Sequence, residues 1–244
     1  MKRQIIAMGG AALPAELDNL LLIDYFLKQT RKRKPRVCFI GTASGDADPY
    51  TVRFYAGFSR FPCTPVHLSL FTRTPRDLRA FIAAQDAVFV GGGNTRSMLA
   101  VWREWRLDRY LRAAWQQGIV LGGVSAGAIC WFEQGLTDSV AGPLTPMPCL
   151  GFLRGSCAPH YDSEPLRRPA YQRLIQRGEM SAGVAADDGV ALHYQDQRLI
   201  RVVSSRLAAR AYRLLQSADA VQEQALPVRY LGSGAAHPAR RRKS

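Results

Sequence analysis

Short apolar runs and longer stretches of helical period alternate through the first half of the chain. Residues 4–8 read as a strand. Residues 15–29 read as an amphipathic helix in which Leu17, Leu20, Leu21, Tyr25 and Leu27 recur near the helical period. Further strand signals fall at 36–40, 65–70, 87–90 and 119–122, with helical stretches at 50–59, 75–84, 95–105 and 108–117 between them. Thr74 and Pro75 make a cap and first-turn pair for the 75–84 helix. Continuous apolar strands alternating with helices predict an α/β fold, a mostly parallel, doubly wound sheet covered on both faces. Such sheets present ligands to loops at the carboxyl edge of their strands. Two glycine-rich loops fall at that edge, one after the fourth strand and one after the fifth.

Beyond Phe132 the periodicity fades. Residues 138–159 hold Pro143, Pro146, Pro148 and Pro159 and read as loop or short hairpins, with a lid over the site expected within 139–158. Residues 167–176 look helical. Late strands are expected at 183–186, 190–194, 199–203 and 209–214, and Asp188-Gly189 is a tight-turn signal between the first two. At 244 residues, with no internal repeat, residues 1–232 are expected to form one α/β domain and residues 233–244 a basic, disordered tail.

Composition narrows the class. Hydrophobic residues make up 47% and charged residues 21%, enough apolar material for a sizeable core. The apolar stretch at 5–8 is too short for a signal core, and no run approaches the roughly 20 residues of a membrane helix, so a cytoplasmic protein with no membrane partner is expected. Five cysteines without a CxxC spacing read as reduced, mostly buried thiols. Cys149, Cys157 and His160 are close in sequence but match no zinc spacing, so no metal and no cofactor are expected. The net charge is +14, and eight basic residues sit in the runs 31–34 and 240–243. Such runs read as solvated surface with at most a weak affinity for polyanions, and no nucleic-acid motif accompanies them.

Candidate chemistry centres on Gly123-Val124-Ser125-Ala126-Gly127, a G-x-S-x-G sequence between an expected strand and residues 128–132, which can begin a helix. That setting is what a nucleophile elbow requires: a sharp turn exposes the serine oxygen, and glycines two positions to either side avoid collision where strand and helix converge. Acyl transfer also needs an oxyanion hole. The Ala126 amide is one natural donor, and the Gly91-Gly92-Gly93 loop supplies another through Gly92 or Gly93, where no side chain blocks close approach. A phosphate-binding turn is the alternative, but the P-loop lysine and the GxGxxG spacing are both missing. The general base should be a histidine. His237 lies in the tail, His67 and His193 in strands, and His160 in the loop Ala158-Pro159-His160-Tyr161-Asp162, which makes His160 the candidate. For the orienting carboxylate, Glu133, Asp138, Asp162 and Glu164 are at hand. The last two follow His160 too closely to reach its far nitrogen easily, whereas Asp138 lies on a loop free to fold back.

Taken in order, Val90-Gly-Gly-Gly-Asn94-Thr95, Gly123-Val-Ser125-Ala-Gly127-Ala128 and Pro159-His160-Tyr161 resemble the peptidase E family of serine peptidases. That family includes the aspartyl dipeptidases and is related to cyanophycinases, and the resemblance spans about residues 4 to 215. It implies a fold similar to the class I glutamine amidotransferases and a triad in the chain order serine, acid, histidine, carried over onto Ser125, Asp138 and His160. It also implies release of an N-terminal aspartate from dipeptides without a cofactor. Recognition of that aspartate calls for a cation, and Arg167 and Arg168 are the nearest forked donors, with Asn94 grouped beside them as substrate-binding. Ile129 stands where some members carry asparagine, so the pocket is expected to differ. The expected partner is a small peptide, with a homodimer left open. The competing functions are a cyanophycinase-like or esterase activity on the same apparatus, and a non-enzymatic anion- or nucleic-acid-binding protein.

Overall fold

Apolar runs interrupted by amphipathic stretches give, in chain order, β1 (Gln4–Met8), α1 (Leu21–Lys28), β2 (Arg36–Ile40), α2 (Asp48–Phe58), β3 (Thr64–Leu68), α3 (Leu78–Ala83), β4 (Ala87–Val90), α4 (Thr95–Glu104), α5 (Leu107–Gln116), β5 (Val120–Val124) and α6 (Ala126–Ile129). There follow β6 (Phe132–Thr137), β7 (Thr145–Pro148), β8 (Leu153–Ala158), α7 (Arg167–Gln176), β9 (Gly183–Ala186), β10 (Val190–Gln195), β11 (Arg198–Ser204), β12 (Ala211–Gln216), β13 (Val221–Ala225) and β14 (Arg229–Tyr230). The structure is a computed structural model that describes residues 2–12, 18–217 and 220–232. The expected disordered tail, with His237, and the first part of the expected 15–29 helix lie outside the described residues.

An eight-stranded sheet runs in the order β14-β11-β10-β1-β5-β4-β2-β3. From β1 through β5, β4 and β2 to β3 its strands are parallel, and β10 joins β1 antiparallel. Neighbouring residues on each central strand point to opposite faces. Ile5, Cys38, Ile40, Val88, Val90 and Leu121 face Met98, Trp102, Leu111 and Trp115 of α4 and α5. Ile6, Val37, Phe39, Phe89 and Val120 face Phe26, Phe54 and Phe58 of α1 and α2. This two-sided burial is why those strands read as continuous apolar runs. The doubly wound α/β architecture is the one expected. The five cysteines are free, four buried and Cys149 half-buried. Burial pushes the Cys149 thiol up to about 12, despite nearby Arg103. No helix among the described residues is long and apolar enough to cross a membrane.

In the second half the helix at 167–176 and strands β9 to β12 fall close to where they are expected, while the stretch from 132 to 159 departs from the expectation. A second sheet, β13-β12-β9-β8-β6-β7, takes in the segment expected to be loop or short hairpins, and β6 and β7 do pair as an antiparallel hairpin within it. Pro146 and Pro148 lie on β7, opposite Leu136 and Gln134, at the edge of that sheet, where a missing N–H costs no ladder bond. Gly155, with φ +78, interrupts the period of β8. The helix after the elbow lasts only over α6, and Phe132 opens β6 rather than closing a helix. Likewise α3 is capped by Asp77, whose carboxylate accepts from the Ala80 amide at 2.9 Å, not by the Thr74 and Pro75 pair.

His193 on β10 is buried, not catalytic in setting. Tyr25 Oη lies 2.6 Å from its Nδ1 and Gln4 Oε1 3.1 Å from its Nε2, which suits a neutral ring accepting from tyrosine and donating to the amide. Burial, helped by Arg201, pushes its pKa down to about 4. The unfolded chain, with an ordinary imidazole, therefore binds the extra proton first, and stability falls as pH drops from about 6.5 towards 4. His193→Gln should remove about 2 kcal/mol of the loss between pH 7 and 4.5 in urea unfolding. An equal acid loss in both proteins would mean that this histidine is not the group responsible.

Candidate active site

Strand β5 ends at Val124, and the chain reverses at Ser125 to start α6. Ser125 has φ 57 and ψ −114, a conformation that costs a residue bearing a Cβ on the order of 1–3 kcal/mol. The surroundings enforce it. Its amide donates to Met8 O at 3.1 Å, and its carbonyl accepts from Ala128 and Ile129 at 2.8 and 3.0 Å. A Cβ at position 123 would lie 2.5 Å from Val90 O and 2.6 Å from Gly127 O, and one at 127 would lie 2.2 Å from Val90 O. Only glycine on both sides lets strand, helix and the end of β4 converge, as the elbow reading requires.

Because β4 and β5 are parallel neighbours, the loop after Val90 reaches Ser125. A Cβ at Gly92 would stand 3.3 Å from Ser125 Cβ and 3.8 Å from its Oγ. Gly93, with φ +133, packs so closely on Ala43 that a Cβ would be 2.2 Å from its carbonyl oxygen. The Asn94 amide donates to that same carbonyl at 2.8 Å, so the loop is fixed next to the serine. Ala126 is the first residue of α6, and its N–H has no acceptor within the helix.

His160 arrives from the loop after β8. Its amide donates to Gly9 O at 3.3 Å, one residue on from the carbonyl that holds Ser125. Gly10 O in turn accepts from the Gly189 amide at 2.9 Å. Residues 8–10 thus bracket the serine, the histidine and the turn at 188–189 through successive carbonyls. Gly10 has to lack a side chain, since a Cβ there would fall 1.8 Å from Asp188 Oδ1 and 2.6 Å from His160 Nδ1. The Gly9-Gly10 pair carries no chemistry of its own, and only the end of an apolar strand marked it in the sequence.

The carboxylate on His160 is Asp188. Its Oδ1 lies 2.7 Å from His160 Nδ1, and both side chains are about four-fifths shielded, each 21% exposed. Burial pushes the Asp188 carboxyl upward, but His160, Ser163 and Arg206 together outweigh it and hold the pKa below the usual carboxylate range. The carboxylate on the histidine thus follows it in the chain instead of preceding it. Asp138, expected in this role, is elsewhere: its side chain is 65% exposed and faces Arg167 at 3.5 Å. Asp138 follows β6, which pairs parallel with β8, the strand leading to His160, yet its carboxylate turns to Arg167 while Asp188 holds the histidine, a choice that sequence spacing could not reveal. Glu133 accepts from the Gly155 amide at 2.7 Å, and Glu164 from Arg167 Nε at 2.5 Å. The signal for Asp188 was present as a turn motif and was absorbed by that local role.

The other expected substrate-binding side chains have structural partners. Asn94 caps α4 by accepting from the Ser97 amide at 2.9 Å, and its Nδ2 donates to Ser139 O at 2.9 Å. Arg167 is buried and spans Glu164 and the Leu136 carbonyl. Arg168 pairs with Glu223 and lies over the rings of Tyr161 and Tyr212. Among the described residues, no group of three or more His, Cys, Asp or Glu is placed to hold a metal ion.

Known proteins resemble this chain in sequence and in fold. The family model described as Peptidase family S51 matches residues 5–202. The uncharacterized peptidase YgaJ of Bacillus subtilis (strain 168) is 53% identical over 230 residues, covering 94% of this chain and 100% of the relative. Among solved structures, a peptidase from an acI-B1 Actinobacterium superposes with a TM-score of 0.68 at 16% identity, over 93% of this chain and 95% of that one. A Listeria monocytogenes EGD-e protein provisionally described as peptidase E gives 0.62 at 17% identity, over 85% and 100%. At those identities the two structures speak for the fold.

Proposed function

The chain belongs to peptidase family S51, and we propose that Ser125, His160 and Asp188 carry its serine-peptidase chemistry on short peptides with an acidic N-terminal residue. The observation behind this reading is the strained Ser125 held beside a His160–Asp188 pair by consecutive carbonyls of residues 8–10. Asp188 keeps the proton of His160 on Nδ1, which leaves Nε2 free to take the Ser125 hydroxyl proton as Oγ attacks the peptide carbonyl. The amides of Ala126 and Gly92, or Gly93, receive the oxyanion. His160 then returns the proton to the leaving amine, and water releases the acyl group by the same steps in reverse.

With Arg167 and Arg168 engaged elsewhere, the cations suited to an acidic side chain are Arg96 and Arg103. They line a cleft of about 360 Å³ between α4 and the β6–β7 connection, next to Asn94, and neither pairs with a carboxylate among the described residues. A second reading, preference for an apolar residue, draws on a cleft of about 410 Å³ across the same connection, lined by Pro143, Leu144, Pro165, Leu166 and Pro169. A panel of Asp-Leu, Lys-Leu and Leu-Leu separates the two. Asp-Leu should lead in kcat/KM, and Arg96→Ala with Arg103→Ala should raise its KM about 10- to 100-fold, the worth of a charged hydrogen bond. Equal turnover of Asp-Leu and Leu-Leu, unmoved by the arginine changes, would discard the acidic preference.

A further inference from the structure

We propose that Asp162 and Arg206 form a positioning clamp that sets the spacing between His160 and Asp188, an inference that rests on Asp188 being the triad acid. Asp188 occupies a tight turn, closed by the Val190 amide on Asp187 O at 3.2 Å, which by itself would leave its side chain loosely aimed. Both of its main-chain groups are taken. The Asp188 amide donates to Asp162 Oδ1 at 2.8 Å, and the Asp188 carbonyl accepts from Arg206 Nη1 at 3.0 Å. The same Nη1 donates to Asp162 Oδ2 at 2.9 Å, so carboxylate, guanidinium and the two peptide units form a closed ring.

The ring joins the two segments whose separation matters. Asp162 lies two residues after His160 on the same loop, and Arg206 comes from the turn after β11. A shift of the histidine loop relative to the Asp188 turn must break a hydrogen bond of the ring before it can lengthen the 2.7 Å contact between His160 Nδ1 and Asp188 Oδ1. The aliphatic stem of Arg206 reaches the ring by crossing Gly189, where a Cβ would meet its Cδ at 2.8 Å. That gives the glycine of the turn a second duty besides its φ of +77. The ends of the Arg206 turn are pinned in turn: the Arg206 amide donates to Ser204 Oγ at 2.9 Å, and the Arg210 amide to Asp187 Oδ2 at 2.8 Å. Asp162 and Arg206 touch neither Ser125 nor the reacting atoms in this account. They act through Asp188.

The test uses the full chain with an activated ester and a dipeptide. Asp162→Ala and Arg206→Ala should each lower kcat about 10- to 100-fold, the effect of a small misplacement, with KM within about twofold. Asp162→Asn keeps the Oδ1 acceptor and Arg206→Lys keeps the charge, so both should recover part of the loss, which also guards against misfolding of the alanine variants. The low-field proton resonance of His160 Nδ1–H should broaden or move in the alanine variants. In an Asp188→Asn background, Asp162→Ala should cost nothing further. Full activity of Asp188→Asn would end the triad reading itself. A crippled Asp188→Asn beside unimpaired Asp162→Ala and Arg206→Ala, or an additive loss in the double variant, would overturn the clamp alone.

Discussion

Ser125→Ala should lower kcat/KM about 10⁴- to 10⁶-fold, the scale on which serine hydrolases lose their nucleophile. The residue left behind keeps a Cβ in the same left-handed backbone, so the turn and its contacts with Met8, Ala128 and Ile129 stay as they are. The variant should therefore fold like the parent, and its loss is chemical. Ser125→Gly makes the complementary point. It should be equally inactive yet more stable, by about 1 kcal/mol, because glycine relieves the strain that exposes the hydroxyl. Urea unfolding and dipeptide turnover on the three proteins measure both sides. Retained turnover in either variant would remove Ser125 from the mechanism.

The second large effect belongs to Asp188. Asp188→Asn should cost about 10³- to 10⁴-fold in kcat, because an amide next to Nδ1 permits the tautomer whose protonated Nε2 cannot take the serine proton. Asp138→Asn should change kcat less than about threefold, in line with a largely exposed side chain facing Arg167. The sign of the Asp188 shift adds a check. Its carboxyl is held below the ordinary value near 3.9, so it stays ionised through the mildly acidic range, and loss of activity between pH 7 and 5 cannot come from its protonation. Comparing pH profiles of parent and Asp138→Asn should give superimposable acid limbs. A large loss on changing Asp138 with none on changing Asp188 would reverse the assignment.

The inner strands of the parallel sheet were legible because they are buried on both faces, so β1, β2 and β4 stand out as apolar runs with the same limits in sequence and structure. The elbow was legible too, since its glycines answer to a collision that any strand-to-helix reversal creates. The acid was not. Asp188 and Gly189 make a sound turn by local chemistry alone, and nothing local indicates that the turn lies against the histidine loop. That contact arises from the bracket of residues 8–10 and from the pairing of β1 with β10. The second sheet was hidden for a similar reason: β7 carries two prolines at an edge and β8 a left-handed glycine, features that read as loop when the neighbouring strands are unseen. Arg167, expected to meet the substrate's carboxylate, is instead buried, because its carboxylate and carbonyl partners come from the loop before its helix and from β6.

The proposed mechanism stands on Ser125 being an activated nucleophile. Incubation with a fluorophosphonate, followed by intact-mass and peptide mass spectrometry, tests it directly. One adduct per chain on the peptide containing Ser125, absent in Ser125→Ala and strongly slowed in Asp188→Asn, is the predicted result. No adduct on the folded protein, or an adduct at another residue that persists in Ser125→Ala, would contradict it.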